Sequence, residues 1–279
     1  MAKDAKPGKV HDGLHKLEEV LMNNPGDPQH GAPREKVDPA DIPDGERYIQ
    51  RTSLQARLTH GFVVVTCCWL IISGLFVLVK GLNNLVGADV VFFMRMSHRV
   101  LGVAFIVVPL ISALLAPKGV KHIAFNLFHP WNKDDWIWLA KFLPYLLACK
   151  LVHMPDQDYT KSGQRFADGM LWLCCFAMAI TGTAQLLGDM VLAMSAGSLM
   201  VWKFLHDVFF VLICVFGMAH AYIGGGLFEP YKGSARIMWG DGKVSESSAL
   251  YHWGKYARRE IADGRNVYVL KGSRKKSAK

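Results

Sequence analysis

The sequence lacks the motifs of several common classes of protein. Its six cysteines form no CxxC or CxxCH pattern, which argues against a zinc ribbon and against covalently attached c-type haem. Residues 1–57 contain no apolar core segment, so we expect no secretory signal there. Charged residues make up only 20% of the chain, although its formal net charge is +9. In a chain with membrane spans, such an excess of cations reflects cytoplasmic loops more often than nucleic-acid binding, and we expect no nucleic-acid partner.

Long runs without charge are the main feature that the sequence does contain. The chain is 51% hydrophobic, yet its mean hydropathy is only +0.18, so the apolar residues must be concentrated in segments. Four such segments have the length and composition of membrane-spanning helices. They cover about residues 58–79, 98–116, 169–187 and 204–228. The sequence therefore predicts an all-α membrane protein with a bundle of four transmembrane helices.

The remaining segments are polar or amphipathic. Residues 1–57 read as a polar, largely irregular N-terminal extension, and residues 229–279 as a basic C-terminal tail, which leaves residues 58–228 as the four-span domain. Between spans two and three, the stretch WIWLAKFLPYLLACKLV contains two lysines and Pro144, so it predicts an interfacial helix and not a further span.

The distribution of cations predicts the orientation of the spans. Lysine and arginine are frequent in residues 117–165 and in the C-terminal tail, and they are rare in the linkers after spans one and three. The positive-inside rule then places both termini and the long middle segment in the cytoplasm.

Four histidines lie at matching depths in these spans. His206 and His220 are both on span four, where they point the same way within about 40° and lie about 21 Å apart along the helix axis. His60 begins span one at the cytoplasmic side, and His98 begins span two at the outer side. Matching by depth pairs His60 with His220 and His98 with His206.

This pairing favours two bis-histidine haems over simple packing roles. A single histidine within a membrane is often a hydrogen-bonded packing residue, but four that pair by depth across three helices are not readily explained in that way. Glycines in the spans offer room for a flat macrocycle, although glycine is also common at helix contacts in membranes. These are Gly74, Gly102, Gly182 and Gly217.

Short motifs add a resemblance to a known family. The chain resembles the γ subunit, the cytochrome b subunit, of membrane-bound formate dehydrogenases, within a wider group that includes hydrogenase cytochrome b subunits. The resemblance covers about residues 54–262. It is carried by Arg57-Leu-Thr-His60, His98-x3-Gly102, Ser162-Gly163-Gln164, the spacing of His206 and His220, Lys232-Gly-Ser and Gly242-Lys-Val-Ser245.

The resemblance implies cofactors, partners and a site. It implies two b haems, an inner one on His60 and His220 and an outer one on His98 and His206, in a bacterial cytoplasmic membrane. Electrons would come from a periplasmic iron–sulfur β subunit, which is fed by a catalytic α subunit, and would pass to menaquinone at the cytoplasmic side. Gly163 and Gln164 match the family's quinone motif, whereas a member of the family has asparagine where this chain has Lys161.

Two other interpretations stay open. The same scaffold could serve a hydrogenase or another periplasmic oxidoreductase, or run as a quinol oxidase. Alternatively, the chain could belong to a different class, a haem-free transporter or structural anchor whose histidines relay protons. In the leading interpretation the chain is an electron-transfer subunit that reduces quinone at its own site, and we predict no separate catalytic residue.

Overall fold

The computed structural model describes residues 47–147, 152, 154–226, 231, 234–264 and 266–269. Three parts of the predicted organisation lie outside the described residues. They are most of the N-terminal extension, residues 270–279 of the basic tail, and residues 227–228 at the end of the predicted fourth span. The chain divides into two compact units. We call residues 52–129 and 166–223 the span unit, and the described residues of Met1–Arg51, Pro130–Arg165 and Gly224–Lys279 the sheet unit.

Within the described residues, four helices are long and apolar enough to cross a membrane, as predicted. In chain order the helices up to the fourth span are α1 (Leu54–Leu78), α2 (Lys80–Val86), α3 (Ala88–Leu115), α4 (Pro117–Phe128), α5 (Lys133–Leu147), α6 (Ser162–Met190) and α7 (Ala196–Gly224). The spans are α1, α3, α6 and α7. The all-α four-span prediction is confirmed.

Each span begins earlier than the apolar run that predicted it, and the four helices start at Leu54, Ala88, Ser162 and Ala196. In α1 the side chain of Ser53 accepts a hydrogen bond from the backbone N–H of Ala56, and the helix starts at Leu54. The fourth span ends at Gly224, short of the predicted residue 228. Apolar runs therefore mark the part of each helix that suits lipid, and the helices extend beyond it.

The surface of the four spans suits a lipid environment. Large apolar side chains such as Leu115 on α3, Phe176 on α6 and Val211 on α7 are exposed. Buried hydroxyls in these helices are satisfied within the protein, as lipid requires. The Thr66 hydroxyl donates to the carbonyl oxygen of Phe62, and Thr59 Oγ1 on α1 lies 2.7 Å from Ser112 Oγ on α3, the helix against which α1 packs.

The sheet unit contains a small sheet that the sequence did not predict. Strands β1 (Arg47–Gln50), β2 (Lys243–Ser245) and β3 (Val267–Val269) form an antiparallel sheet in the order β2-β1-β3. The chain also forms α8 (Arg236–Trp239) and α9 (Glu246–Asp263). A buried core joins sheet and helix, and it consists of Ile49, Val244, Ala249, Trp253, Tyr256 and Ala257.

This sheet corrects the prediction of a largely irregular extension at residues 47–50. The strands are only three or four residues long, and two segments that are far apart in the chain contribute them. An Arg47–Glu246 ion pair adds a contact between β1 and α9. Such short strands have no local hydrophobic periodicity that could have shown them, and the C-terminal segment is folded and not only a basic tail.

A helix is present between spans two and three, where the sequence predicted one, and it is α5. Two reciprocal hydrogen bonds cap its N-terminus. Asp135 N donates to Asn132 Oδ1 at 3.0 Å, and Asn132 N donates to Asp135 Oδ2 at 2.9 Å. Trp138 and Tyr145 of α5 are buried in the sheet unit. Part of the amphipathic face of α5 therefore packs against protein.

Replacing Ile49 with alanine should destabilise the sheet unit. Ile49 is 0% exposed at the centre of the core, so Ile49→Ala should cost about 2–5 kcal/mol through lost burial and the cavity that it leaves. Limited proteolysis of the full-length protein in detergent should show faster cleavage within residues 234–269. Tyr268→Ala is the matched control, since Tyr268 is 46% exposed on β3 and its variant should be cleaved at the wild-type rate. Equal rates for Ile49→Ala and wild type would contradict the assigned core.

Candidate functional site

The four predicted histidines lie in the span unit and are brought together in two pairs. The rings of His60 on α1 and His220 on α7 have their centroids 6.1 Å apart. The rings of His98 on α3 and His206 on α7 have their centroids 6.3 Å apart. Helix α7 thus contributes one histidine to each pair.

These separations fit an iron between the two rings of each pair. A bond from a metal to an imidazole nitrogen is about 2 Å, and the ring centre lies about 1 Å further, so two opposed ligands have centroids roughly 6 Å apart. Among the described residues, no group of three or more His, Cys, Asp or Glu side chains is arranged to hold a bare metal ion. Two axial nitrogens alone suit a haem iron, whose other ligands come from its macrocycle.

Two hydroxyls orient the histidines of the His98–His206 pair. Ser73 Oγ on α1 lies 3.0 Å from His98 Nδ1, and Thr181 Oγ1 on α6 lies 2.8 Å from His206 Nδ1. Each hydroxyl also donates to the carbonyl oxygen four residues earlier in its own helix, at 2.8 and 2.7 Å. Since the hydroxyl proton is used in this way, the hydroxyl oxygen accepts from Nδ1–H, and Nε2 of each ring is left for a metal.

Two of the glycines noted in the sequence face these same rings. A Cβ on residue 74 would lie 3.3 Å from His98 Cε1, and a Cβ on residue 182 would lie 3.3 Å from His206 Cε1. Gly74 and Gly182 therefore allow the imidazoles to approach the helix backbone. A Cβ at Gly102 or Gly217 would meet no described atom within 4 Å, so these positions offer the space that a flat group needs.

A carboxylate contacts the other pair. His220 Nδ1 lies 2.6 Å from Asp168 Oδ1 of α6. Sequence reasoning missed Asp168, because it immediately precedes the apolar run that predicts the third span. An acidic residue inside a membrane helix is costly unless it has a partner, and that rule was the signal that could have identified it.

The two candidate quinone residues lie in the first turn of α6, in the sheet unit. Gly163 packs against the ring of Trp138, with which any Cβ at this position would overlap. Packing alone therefore explains the glycine at this position. The Gln164 side chain is half-buried, and its amide has no hydrogen bond to the residues that the structure describes.

A buried polar network fixes this turn of α6. Ser162 Oγ lies 2.6 Å from Asp135 Oδ1, and Arg165 Nη1 donates to Asp135 Oδ2 at 3.0 Å. Burial opposes the ionisation of Asp135, but hydrogen bonds from Asn132 and Ser162 and the charge of Arg165 outweigh it and lower the pKa of the carboxyl. Arg165 is thereby held in an ion pair with Asp135.

Lys161 lies just before α6 in a mainly aromatic, buried environment. It is 5% exposed, and its Nζ lies 3.1 Å from His252 Nδ1 and 4.2 and 4.7 Å from the ring centroids of Tyr231 and Trp253. Burial, followed by the positive charge of Arg51, places the pKa of Lys161 well below its usual value. Burial and the charges of Lys161 and Arg51 likewise hold the pKa of His252 well below its usual value.

The guanidinium of Arg51 lies in the same cluster. Its Cζ is 4.0 Å from the ring centroid of Trp253, 4.4 Å from that of Tyr159 and 4.8 Å from that of Tyr256. Arg51 Nη2 donates to the carbonyl oxygen of Tyr159 at 2.6 Å. Because arginine keeps its proton, Arg51 remains the cation of the cluster and favours the neutral form of Lys161.

Comparison with known proteins identifies the family. The family model for prokaryotic cytochrome b561 matches residues 51–241, which is more than half of the chain. The chain therefore belongs to the prokaryotic cytochrome b561 family. A search of curated proteins gave no match. With its four apolar helices, the chain is an integral membrane protein that binds haem b and transfers electrons.

Replacing Lys161 with methionine should stabilise the protein at neutral pH. A lysine whose folded pKa lies below its unfolded value costs stability at every pH below the unfolded pKa, by about 1.4 kcal/mol for each pH unit down to the folded pKa. The thermal midpoint of Lys161→Met, followed by tryptophan fluorescence, should exceed that of wild type at pH 7, and the difference should shrink towards pH 10.

Lys255→Met is the matched control for this measurement. Lys255 pairs with Asp134 at 2.9 Å and its side chain is 45% exposed, so its removal should give no comparable dependence on pH. A Lys161→Met variant that is less stable than wild type at pH 7 would show that the amine is a charged, stabilising group.

Proposed function

We propose that this member of the prokaryotic cytochrome b561 family is the membrane-anchoring subunit of a formate dehydrogenase-like complex. It would take electrons from a periplasmic iron–sulfur β subunit, fed by a catalytic α subunit, and pass them through two b haems to menaquinone on the cytoplasmic side. Family membership supports haem b binding and electron transfer. The resemblance of the short motifs supports the identity of the complex.

The observation that carries the proposal is the presence of two opposed histidine pairs on three spans. His60 and His220 would hold the inner haem, and His98 and His206 the outer one. The protein orients His98, His206 and His220 through their Nδ1 hydrogen bonds. Bound haem supplies a one-electron couple between ferric and ferrous iron.

The spacing of the pairs suits electron transfer across a membrane. His206 and His220 are fourteen residues apart on α7, which corresponds to about 21 Å along the helix axis. The hydrocarbon core is about 30 Å thick. An electron path with a stop at each pair therefore has shorter steps than a single crossing.

We place the quinone at the first turn of α6 with the Gln164 amide as its hydrogen-bonding group. This amide is half-buried and has no hydrogen bond to a described residue, so it can donate to a quinone carbonyl. Quinone reduction on the cytoplasmic side would take protons from the cytoplasm while electrons arrive from outside, which builds a membrane potential. The distribution of cations supports this orientation, with both termini in the cytoplasm of a bacterial cell.

A second candidate is the same scaffold in a hydrogenase or another periplasmic oxidoreductase, or one that oxidises quinol. The Gly242-Lys-Val-Ser245 motif favours the formate dehydrogenase branch, and most of it forms strand β2. Metal analysis of the co-purified complex separates the two, because molybdenum or tungsten supports the first and nickel with iron the second. Family membership opposes the haem-free transporter or anchor.

Pairs of histidine replacements should test which residues share a haem. The purified wild-type chain should contain two b haems. His60→Ala with His220→Ala should leave one haem, because both changes affect the same pair. His60→Ala with His98→Ala should leave none, because each pair then lacks a ligand. Haem per chain is measured by the pyridine haemochrome assay.

The haem count gives clear outcomes against the proposal. If the variant with His60 and His98 both replaced retains one haem, those two residues share an iron and our pairing is wrong. If wild-type protein shows no reducible b-type absorbance band, the two-haem proposal fails. His122→Ala is the control, since His122 lies on α4 and not in a span, and this variant should retain both haems.

Gln164→Ala should weaken inhibition by a quinone-site ligand. The variant loses the amide that would donate to the quinone, so we expect about a tenfold higher inhibitor concentration for half-inhibition of quinone reduction. Gln185→Ala is the control, because Gln185 lies on the same helix and its amide donates to the carbonyl of Thr181. Unchanged inhibition in Gln164→Ala would place the quinone elsewhere.

A further inference from the structure

We propose that Asp168 is a positioning residue that lowers the reduction potential of the haem on the His60–His220 pair. The carboxylate would hold the potential of this haem below the value that it would have with a neutral Nδ1 partner. This inference rests on the proposed function, in which each histidine pair holds one haem.

The two histidines on α7 have different Nδ1 partners. His206 Nδ1 has a neutral partner, the Thr181 hydroxyl, at 2.8 Å. His220 Nδ1 has an acidic partner, the Asp168 carboxylate, at 2.6 Å. His98, the ring opposite His206, also has a neutral partner in Ser73. Both rings of one pair are therefore held by hydroxyls, whereas the other pair includes a ring held by a carboxylate.

Two helix pairs of the span unit share a pattern of contacts, and comparing them shows that the difference between the histidine pairs belongs to the fold. Ser73 and His98 on α1 and α3 are 25 residues apart, and so are Thr181 and His206 on α6 and α7. In both cases a glycine follows the hydroxyl residue and faces the ring. The surroundings of His98 are thus repeated around His206.

The correspondence between the two helix pairs does not hold around the His60–His220 pair. The same number of residues separates Ser73 from Thr181, His60 from Asp168, and Ser112 from His220. Ser112 contacts the Thr59 hydroxyl, which precedes His60, whereas His220 contacts Asp168, which corresponds to His60 itself. Asp168 therefore occupies the position in α6 that a metal-binding histidine occupies in α1.

A carboxylate partner changes the ligand more than a hydroxyl does. A hydrogen bond to an ionised acceptor is about twice as strong as one between neutral groups, and it raises the basicity of a metal-bound imidazole. A more basic ligand and a nearby negative charge both favour ferric over ferrous iron, most strongly where water is excluded. Reduction of this haem is thereby disfavoured, which means that its reduction potential is lower.

The test is a redox titration of the purified full-length chain that carries His98→Ala, so that only the His60–His220 haem remains. In this background Asp168→Asn keeps an oxygen that can accept from Nδ1–H but removes the charge. We expect the equilibrium between ferric and ferrous iron to shift about tenfold towards ferrous, which is about 59 mV for one electron. The low-spin ferric electron paramagnetic resonance signal should shift as well.

Two further variants define the role of Asp168. Asp168→Glu restores a carboxylate and should return the potential towards that of the parent. Asp207→Asn is the matched control, because Asp207 is an acid on α7 with no hydrogen bond to a described residue, and its variant should leave the potential unchanged. If Asp168→Asn binds haem at the parent potential, Asp168 only supports the ring and the inference is wrong.

Failure of this inference is distinguishable from failure of the proposed function. Haem stoichiometry of the wild-type chain tests the two-haem assignment before any potential is measured. If Asp168→Asn does not retain haem, the Asp168→Glu variant still gives a potential to compare with the parent. A loaded Asp168→Glu variant should lie within a twofold change of the parent equilibrium, and a tenfold change towards ferrous iron would contradict the role of the charge.

Discussion

An imidazole inside a lipid bilayer must satisfy two ring nitrogens without water, and this requirement links the parts of the span unit. One nitrogen is available for iron, so the other needs a protein partner. Ser73 on α1 and Thr181 and Asp168 on α6 supply such partners for His98, His206 and His220. Gly74 and Gly182 then allow the rings to come close enough to use them. The positions of two histidine-bearing helices are thereby tied to those of the two helices that orient the rings.

The sequence was sufficient to predict the spans, because a helix that crosses lipid needs a long run of residues with few charges. It was also sufficient to predict which histidines meet, since depth in the membrane and helix periodicity follow from residue number. Asp168 was missed because the same rule excludes acids from a span. The sheet was missed because Ile49 meets Val244 and Ala249 only through contacts between distant segments, and no local pattern encodes such contacts.

The sheet unit and the span unit share the helix α6. Its first turn, in the sheet unit, is fixed by Asp135 and Arg165 and follows the buried amine of Lys161. Asp168 lies less than one turn further along the same helix, where the span unit begins. One continuous helix therefore contains the candidate quinone contact Gln164 and the carboxylate that orients His220.

Helix α7 contributes one histidine to each pair, and this has a consequence for how the protein is made. The first three spans to leave the ribosome contain His60 and His98 on separate helices, and neither has its opposing ring. In the proposed two-haem arrangement, each haem would gain its second protein ligand only after the fourth span has entered the membrane. Stable loading with cofactor would then be a late event in biogenesis, and a chain cut short before α7 would release its haem.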